Sequence, residues 1–207
     1  VLTRSKHSND GNINISNHKK VSLPINFPNW LLNKHSIKVF NLIYRNLGSY
    51  QPKTQLLDYE KVLFPLDNIK YWNRMYGSRG FYQHQSIIPK ISSRKGIQEL
   101  LETIKESEEG SFLAVLKNHG IESSIGRNTF CIEGTSLALD FPNNGKRTRD
   151  LLNKLDQITS KYDGKIYPAK DASMTSTIYK KAYKNWHDID FHRDKKLSSS
   201  FWDRVNG

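Results

Sequence analysis

Four side chains in this sequence have types and spacing that could do chemistry: Gln83, Gln85, Lys117 and Lys170. The two glutamines stand two apart in a run, 81–88, that reads as a strand, so both amides face the same side. Facing a core, two large polar groups would need buried partners, an expensive arrangement. A ligand-facing surface accounts for them, and so does plain solvent; the residues alone leave both readings open. Lys117 ends another predicted strand, 112–117. Lys170 follows a third, 165–167, in Tyr167-Pro168-Ala169-Lys170-Asp171. Lysines at strand ends are usually surface residues, and only convergence on one cleft would make these functional.

Other clusters offer less. His187 and His192 with Asp188, Asp190 and Asp194 form the densest His/Asp group, but the spacing fits no standard metal site. A solvated helix end is the better reading, and no metal is expected. Cys131 has no activating neighbour in sequence and reads as an inert thiol. Tyr50, Tyr59, Tyr71 and Trp72 read as core. Glycine-rich phosphate loops, nucleophile elbows and zinc-protease motifs are all missing from the sequence.

The 207 residues suit one large domain, or one domain with a tail, and 36% of them are hydrophobic. Mean hydropathy is -0.68, so the apolar material is concentrated in a few segments. Plentiful aromatics, with 10 Tyr, 9 Phe and 4 Trp, argue against a disordered chain. The net charge of +12 favours an anionic partner, yet the basic residues are scattered and accompany no nucleic-acid-binding motif. A single cysteine suits a reducing compartment, and a cytoplasmic location is expected. No apolar run reaches the roughly 18–20 residues needed to span a bilayer. The first residues lack the apolar core of a signal peptide and an initiator Met, so the chain is expected to begin inside a longer one.

The elements that must position these residues follow from period. After a short strand at 1–4, the polar run 5–20 reads as a loop. A partly buried helix is expected over 30–47, stopped by Gly48, then a strand at 55–64 and a short helix at 68–76. Strand 81–88 is followed by a helix capped by Ser92 or Ser93, with Ile97, Leu100, Leu101 and Ile104 on one face. Strands 112–117 and 137–141 come next. A second amphipathic helix is marked by Leu151, Leu152, Leu155, Ile158 and Tyr162, and an Asp163-Gly164 turn leads into strand 165–167. Two helices are expected near 173–183 and 198–205. The order predicts an α+β fold, a mixed or antiparallel sheet with helices packed on one face, akin to the split βαβ arrangement.

The runs LPINFPNWLLNK, FPLDNIKYWNRMYGSRGFYQHQSIIP, SFLAVLKNHG, SLALDFP and GKIYPAKDAS occur in this order with compatible spacing. Together they resemble the C-terminal, substrate-side region of FAD-linked oxidoreductases of the vanillyl-alcohol-oxidase (PCMH-type) family, which includes sugar and aldonolactone oxidases. The likeness runs from about Val1 to Arg193. It implies a substrate (cap) domain over residues 1–166 and a segment, 167–207, that returns to a flavin domain. FAD would be bound mainly by an N-terminal domain outside this chain, which would be its partner.

On that resemblance, Tyr167 and Lys170 would sit beside the flavin, with Lys170 catalytic. Gln83, Gln85, Lys117 and Ser136 would line the substrate side. Glutamine amides both donate and accept, which suits sugar hydroxyls, and a lysine suits an anionic substituent. The expected substrate is thus a small, sugar-like molecule, and Lys117 would read an anionic group on it. Where a sugar-oxidising member carries Asn-Ile-Cys ahead of Val-Asp-Phe-Pro, this chain has Ser136-Leu137-Ala138 ahead of Leu139-Asp140-Phe141-Pro142. Thr135 replaces the preceding tryptophan, and the family's Arg-Arg-Lys-x-Asp-Pro becomes His192-Arg193-Asp194-Lys195-Lys196-Leu197. The resemblance therefore implies oxidation at a hydroxyl and names no substrate. Two other readings stand beside it: an aldonolactone-type oxidase using oxygen, and a basic, non-catalytic domain that binds nucleic acid or another anionic polymer.

Overall fold

The computed structural model describes residues 21–28, 31, 34–49, 54, 69–111, 113–121, 126 and 128–206. The strands expected at 1–4 and 55–64 and the loop at 5–20 lie outside them. The chain divides into two compact units, Val1–Gly80 and Phe81–Gly207.

In the first unit, β1 (Val21–Ser22) pairs in parallel with β2 (Ile69–Lys70). Arg74 ties the chain after β1 to the 3₁₀ helix Trp72–Tyr76, donating from Nη1 to the carbonyls of Leu23 at 2.8 Å and Pro24 at 2.7 Å. Helix α1 spans Lys34–Ser49, later than expected, and runs through Gly48. Its Val39, Phe40, Leu42 and Ile43 remain about half exposed, so the burial expected of them is modest.

The second unit carries the sheet. Its strands are β3 (Phe81–Pro89), β4 (Ala114–His119), β5 (Gly134–Pro142) and β6 (Lys165–Ile166). They lie in the order β4-β5-β3-β6, every neighbouring pair antiparallel. Helix α2 (Ser93–Ser107) leads from β3 to β4, and α3 (Lys146–Lys161) from β5 to β6. Each helix thus joins two strands of the same direction with another strand between them, the split βαβ arrangement. The fold is α+β, as expected.

Register decides what each face carries. Ile88 from β3 and Leu137, Leu139 and Phe141 from β5 point toward the helices. There they meet Ile97 and Leu100 of α2 and Leu151, Leu152, Leu155 and Ile158 of α3. These side chains are buried, each contributing about 1.5–3 kcal/mol relative to exposure. Ser92 stands at the N-cap of α2, as expected, but its side chain makes no cap hydrogen bond. Ser92 Oγ donates to the Tyr162 carbonyl at 3.2 Å, and Ser93 Oγ to the Ile88 carbonyl at 3.0 Å, so both fasten the helix start to its surroundings.

Beyond β6 come α4 (Ser176–Ala182), α5 (Trp186–His192) and α6 (Ser200–Asn206). The second of these was not foreseen. Ile166, Met174, Tyr179, Tyr183 and Val205 form a smaller core between β6, α4 and α6. Residues 167–206 therefore pack within the second unit. Among the described residues, no helix is long and apolar enough to cross a membrane.

Candidate functional site

The antiparallel register sets Gln83 opposite Asp140, Gln85 opposite Ala138, Ile87 opposite Ser136, and Lys117 also opposite Ser136. Directly paired residues share a face. Gln83, Gln85, Lys117 and Ser136 therefore stand on one side of the sheet, away from the side on which Ile88, Leu137 and Leu139 meet the helices.

Their exposures differ. Gln83 and Gln85 are half-buried and Lys117 is exposed. Ser136 is only 1% exposed, with its hydroxyl 2.8 Å from His119 Nε2. Asp140, also buried, accepts a 3.0 Å hydrogen bond from Gln83 Nε2. An ionised carboxylate only accepts, so the bond fixes the amide's orientation and leaves the Gln83 carbonyl oxygen as its other polar end.

Tyr167 joins this face through β6. Lys165 pairs with Ile87 and Ile166 with Ser86, and the Tyr167 N–H then donates to the Gln85 carbonyl at 2.8 Å. The register thus brings Tyr167 alongside Gln85, and its ring lies 4.9 Å from that of Phe130. Lys170 ends the 3₁₀ turn Pro168–Lys170, its N–H donating to the Tyr167 carbonyl at 3.0 Å; it is half-buried, and its ammonium has no hydrogen-bond or ion-pair partner among the described residues.

The turn itself is firmly held. Asp171 Oδ1 accepts from the amides of Ser173 at 3.0 Å and Met174 at 2.8 Å, while Oδ2 accepts from Arg204 Nη2 at 2.8 Å. Tyr167 and Lys170 thus ride on one braced turn. No described loop of glycines precedes a helix to cradle a pyrophosphate.

Sequence reasoning overlooked three groups. His119 lies on the candidate face with Lys117, and burial, then the Lys117 charge, holds its imidazole below the ordinary value. Lys165 shares the face with Ile87; its Nζ donates to the Thr129 carbonyl at 2.8 Å, and burial pushes its ammonium down. The third is His84, between the two glutamines but on the helix face. Its Nε2 lies 3.0 Å from Asp156 Oδ1 of α3, and both residues are buried. The only available signal was the Gln-His-Gln run itself, whose central residue must face the opposite way.

A groove of about 610 Å³ lies elsewhere, between α2 and β4. Ile97, Leu101 and Leu116 form its floor, with Lys90, Arg94 and Lys105 around it. It holds none of the candidate residues, because Leu116 and Lys117 point to opposite faces of β4. The register, which fixes directions residue by residue, is the better guide to the site. In the His/Asp segment, Asp190 Oδ1 takes Arg193 at 2.9 Å and Lys195 at 2.8 Å. Among the described residues, no three His, Cys, Asp or Glu side chains are grouped to hold a metal.

No family model matches the chain. Over 164 residues it is 32% identical to Decaprenylphosphoryl-beta-D-ribose oxidase of Mycolicibacterium smegmatis, covering 79% of this chain and 35% of the relative. The likeness read from the motifs is thereby borne out, and the chain spans about a third of that relative's length.

Proposed function

We propose that this chain is the substrate-side portion of a FAD-dependent oxidoreductase that oxidises a hydroxyl of a sugar-like or polyol substrate. The observation that carries this is the likeness to an oxidase of a phosphoryl-ribose over 79% of the chain. The register supports it by grouping Gln83, Gln85 and Lys117 on one face, with Tyr167 tied to Gln85. A FAD held mainly by another domain, with Tyr167 and Lys170 at its edge, would supply the hydride acceptor for the substrate carbon.

The chain's own residues do the rest. Gln83, its amide nitrogen held by Asp140, presents an acceptor to a substrate hydroxyl, and Gln85 adds a second amide. Lys117 faces an anionic substituent, and Ser136 lies behind it, reaching the site through His119. As a cation, Lys170 orients a water that takes the proton of the reacting hydroxyl, or offsets negative charge developing beside Tyr167. The lone cysteine accords with a cytoplasmic enzyme.

The test uses the full-length protein containing this chain. A flavin absorption band that bleaches anaerobically with a member of a sugar and polyol panel is the expected result. A colourless protein, or a flavin that no such substrate reduces, overturns the reading. Hydrogen peroxide formed in step with turnover would instead assign it to the oxygen-using aldonolactone type.

A further inference from the structure

We infer that His84, Asp156 and Ser173 form a buried clamp that sets the Lys170 segment against the glutamine-bearing strand, making all three positioning residues. The inference rests on the roles proposed above for Gln85 and Lys170. His84 Nε2–H donates to Asp156 Oδ1 at 3.0 Å, and Ser173 Oγ donates to Asp156 Oδ2 at 2.7 Å. Each oxygen of one carboxylate, only 1% exposed, thus takes one donor. One donor comes from β3 and the other from the residues just past Lys170.

Lys170 is bracketed as a result. Three residues before it, the Tyr167 N–H donates to the Gln85 carbonyl at 2.8 Å. Three residues after it, Ser173 reaches His84, Gln85's neighbour, through Asp156. Shifting the lysine relative to the glutamines would break bonds at both ends, and bonds made out of water are costly to leave open.

The choice of residue points the same way. Apolar side chains at positions 84 and 156 together would fill the space between β3 and α3 at no polar cost. Histidine leaves Nδ1 buried without a partner among the described residues, and Ser86 Oγ on the same face is likewise unpartnered. What offsets that cost is the link to Asp156.

The experiment compares His84→Phe, His84→Gln and Ser173→Ala in the full-length protein. Phenylalanine keeps the bulk and removes the donor, whereas glutamine keeps an N–H near the place of Nε2. His84→Phe and Ser173→Ala should lower kcat about tenfold with KM within about twofold, and His84→Gln should recover most of the loss. Hydrogen exchange at the amides of residues 170–174 should accelerate in the first two variants and not in the third. Wild-type kcat and exchange in His84→Phe would overturn the clamp. So would a raised KM with unchanged kcat, or glutamine failing as badly as phenylalanine. A wild-type protein that reduces no flavin would overturn the proposed function alone, since the exchange measurement still tests the clamp.

Discussion

At the scale of single residues, some polar groups of the candidate face have directions fixed by bonds made behind them. Asp140 orients Gln83, His119 engages Ser136, and Asp171 with Arg204 braces the turn under Lys170. The Lys170 ammonium has no hydrogen-bond or ion-pair partner among the described residues and sits on a braced turn, which makes it an informative position. In the full-length protein, Lys170→Ala should lower kcat at least about tenfold, an activation cost of roughly 1.4 kcal/mol. Steady-state kinetics would check this, and a change confined to KM would make Lys170 a binding residue only. His119 gives a second prediction. Its folded-state pKa is lowered by burial and by Lys117, so the unfolded chain binds the extra proton first as pH falls. Stability attached to this imidazole is present above the ordinary histidine value near 6.5 and is lost as pH drops through the folded value. His119→Asn should therefore flatten the fall in thermal stability between about pH 7 and 5, as followed by unfolding scans.

At the scale of elements, period was a good guide wherever one face is apolar. Leu137, Leu139 and Phe141 mark β5, and Leu151, Leu152, Leu155 and Ile158 mark α3, because both must bury a stripe against the other. The start of β5 carries no such stripe. Gly134-Thr135-Ser136 is strand because β3 and β4 pair with it on both sides, information that lies far away in the chain. Helix α5 was missed for the related reason that its His/Asp-rich residues show a polar surface and little periodicity. In the same way, the shared face of Gln83 and Gln85 was legible from alternation, while the His84–Asp156 and His119–Ser136 contacts depend on register and could not be read. Gly134 exposes the tightness of that register. A Cβ there would lie 2.1 Å from the Ile88 carbonyl oxygen and 3.1 Å from Pro89 Cα, both backbone atoms. Gly134→Ala should thus force β3 and β5 apart and destabilise by roughly 3 kcal/mol. Urea unfolding would measure it, and a change below about 0.5 kcal/mol would mean the strands yield freely.

At the scale of the whole molecule, the question is how much of a flavin site this chain could supply by itself. A dinucleotide needs backbone amides at a helix N-terminus for its pyrophosphate, and a crevice that covers most of its surface. The described residues offer the turn 167–171 with its aromatic ring and its free lysine, and no glycine-rich loop opening a helix. That turn is already braced by Asp171, Arg204 and Ser173, so it would gain no folding on meeting the cofactor. One wall of this kind cannot offset the freedom lost when so large a ligand is immobilised. The net charge of +12 attracts a diphosphate at long range but supplies no fixed geometry for it. The purified chain should therefore be colourless, and after incubation with excess FAD it should elute from gel filtration without a flavin band. Addition of the remaining part of the full-length protein should restore both the band and substrate-dependent bleaching. Stoichiometric retention of FAD by this chain alone would place the cofactor's phosphate site within it, and would move Lys170 from the edge of a shared site to the interior of a complete one.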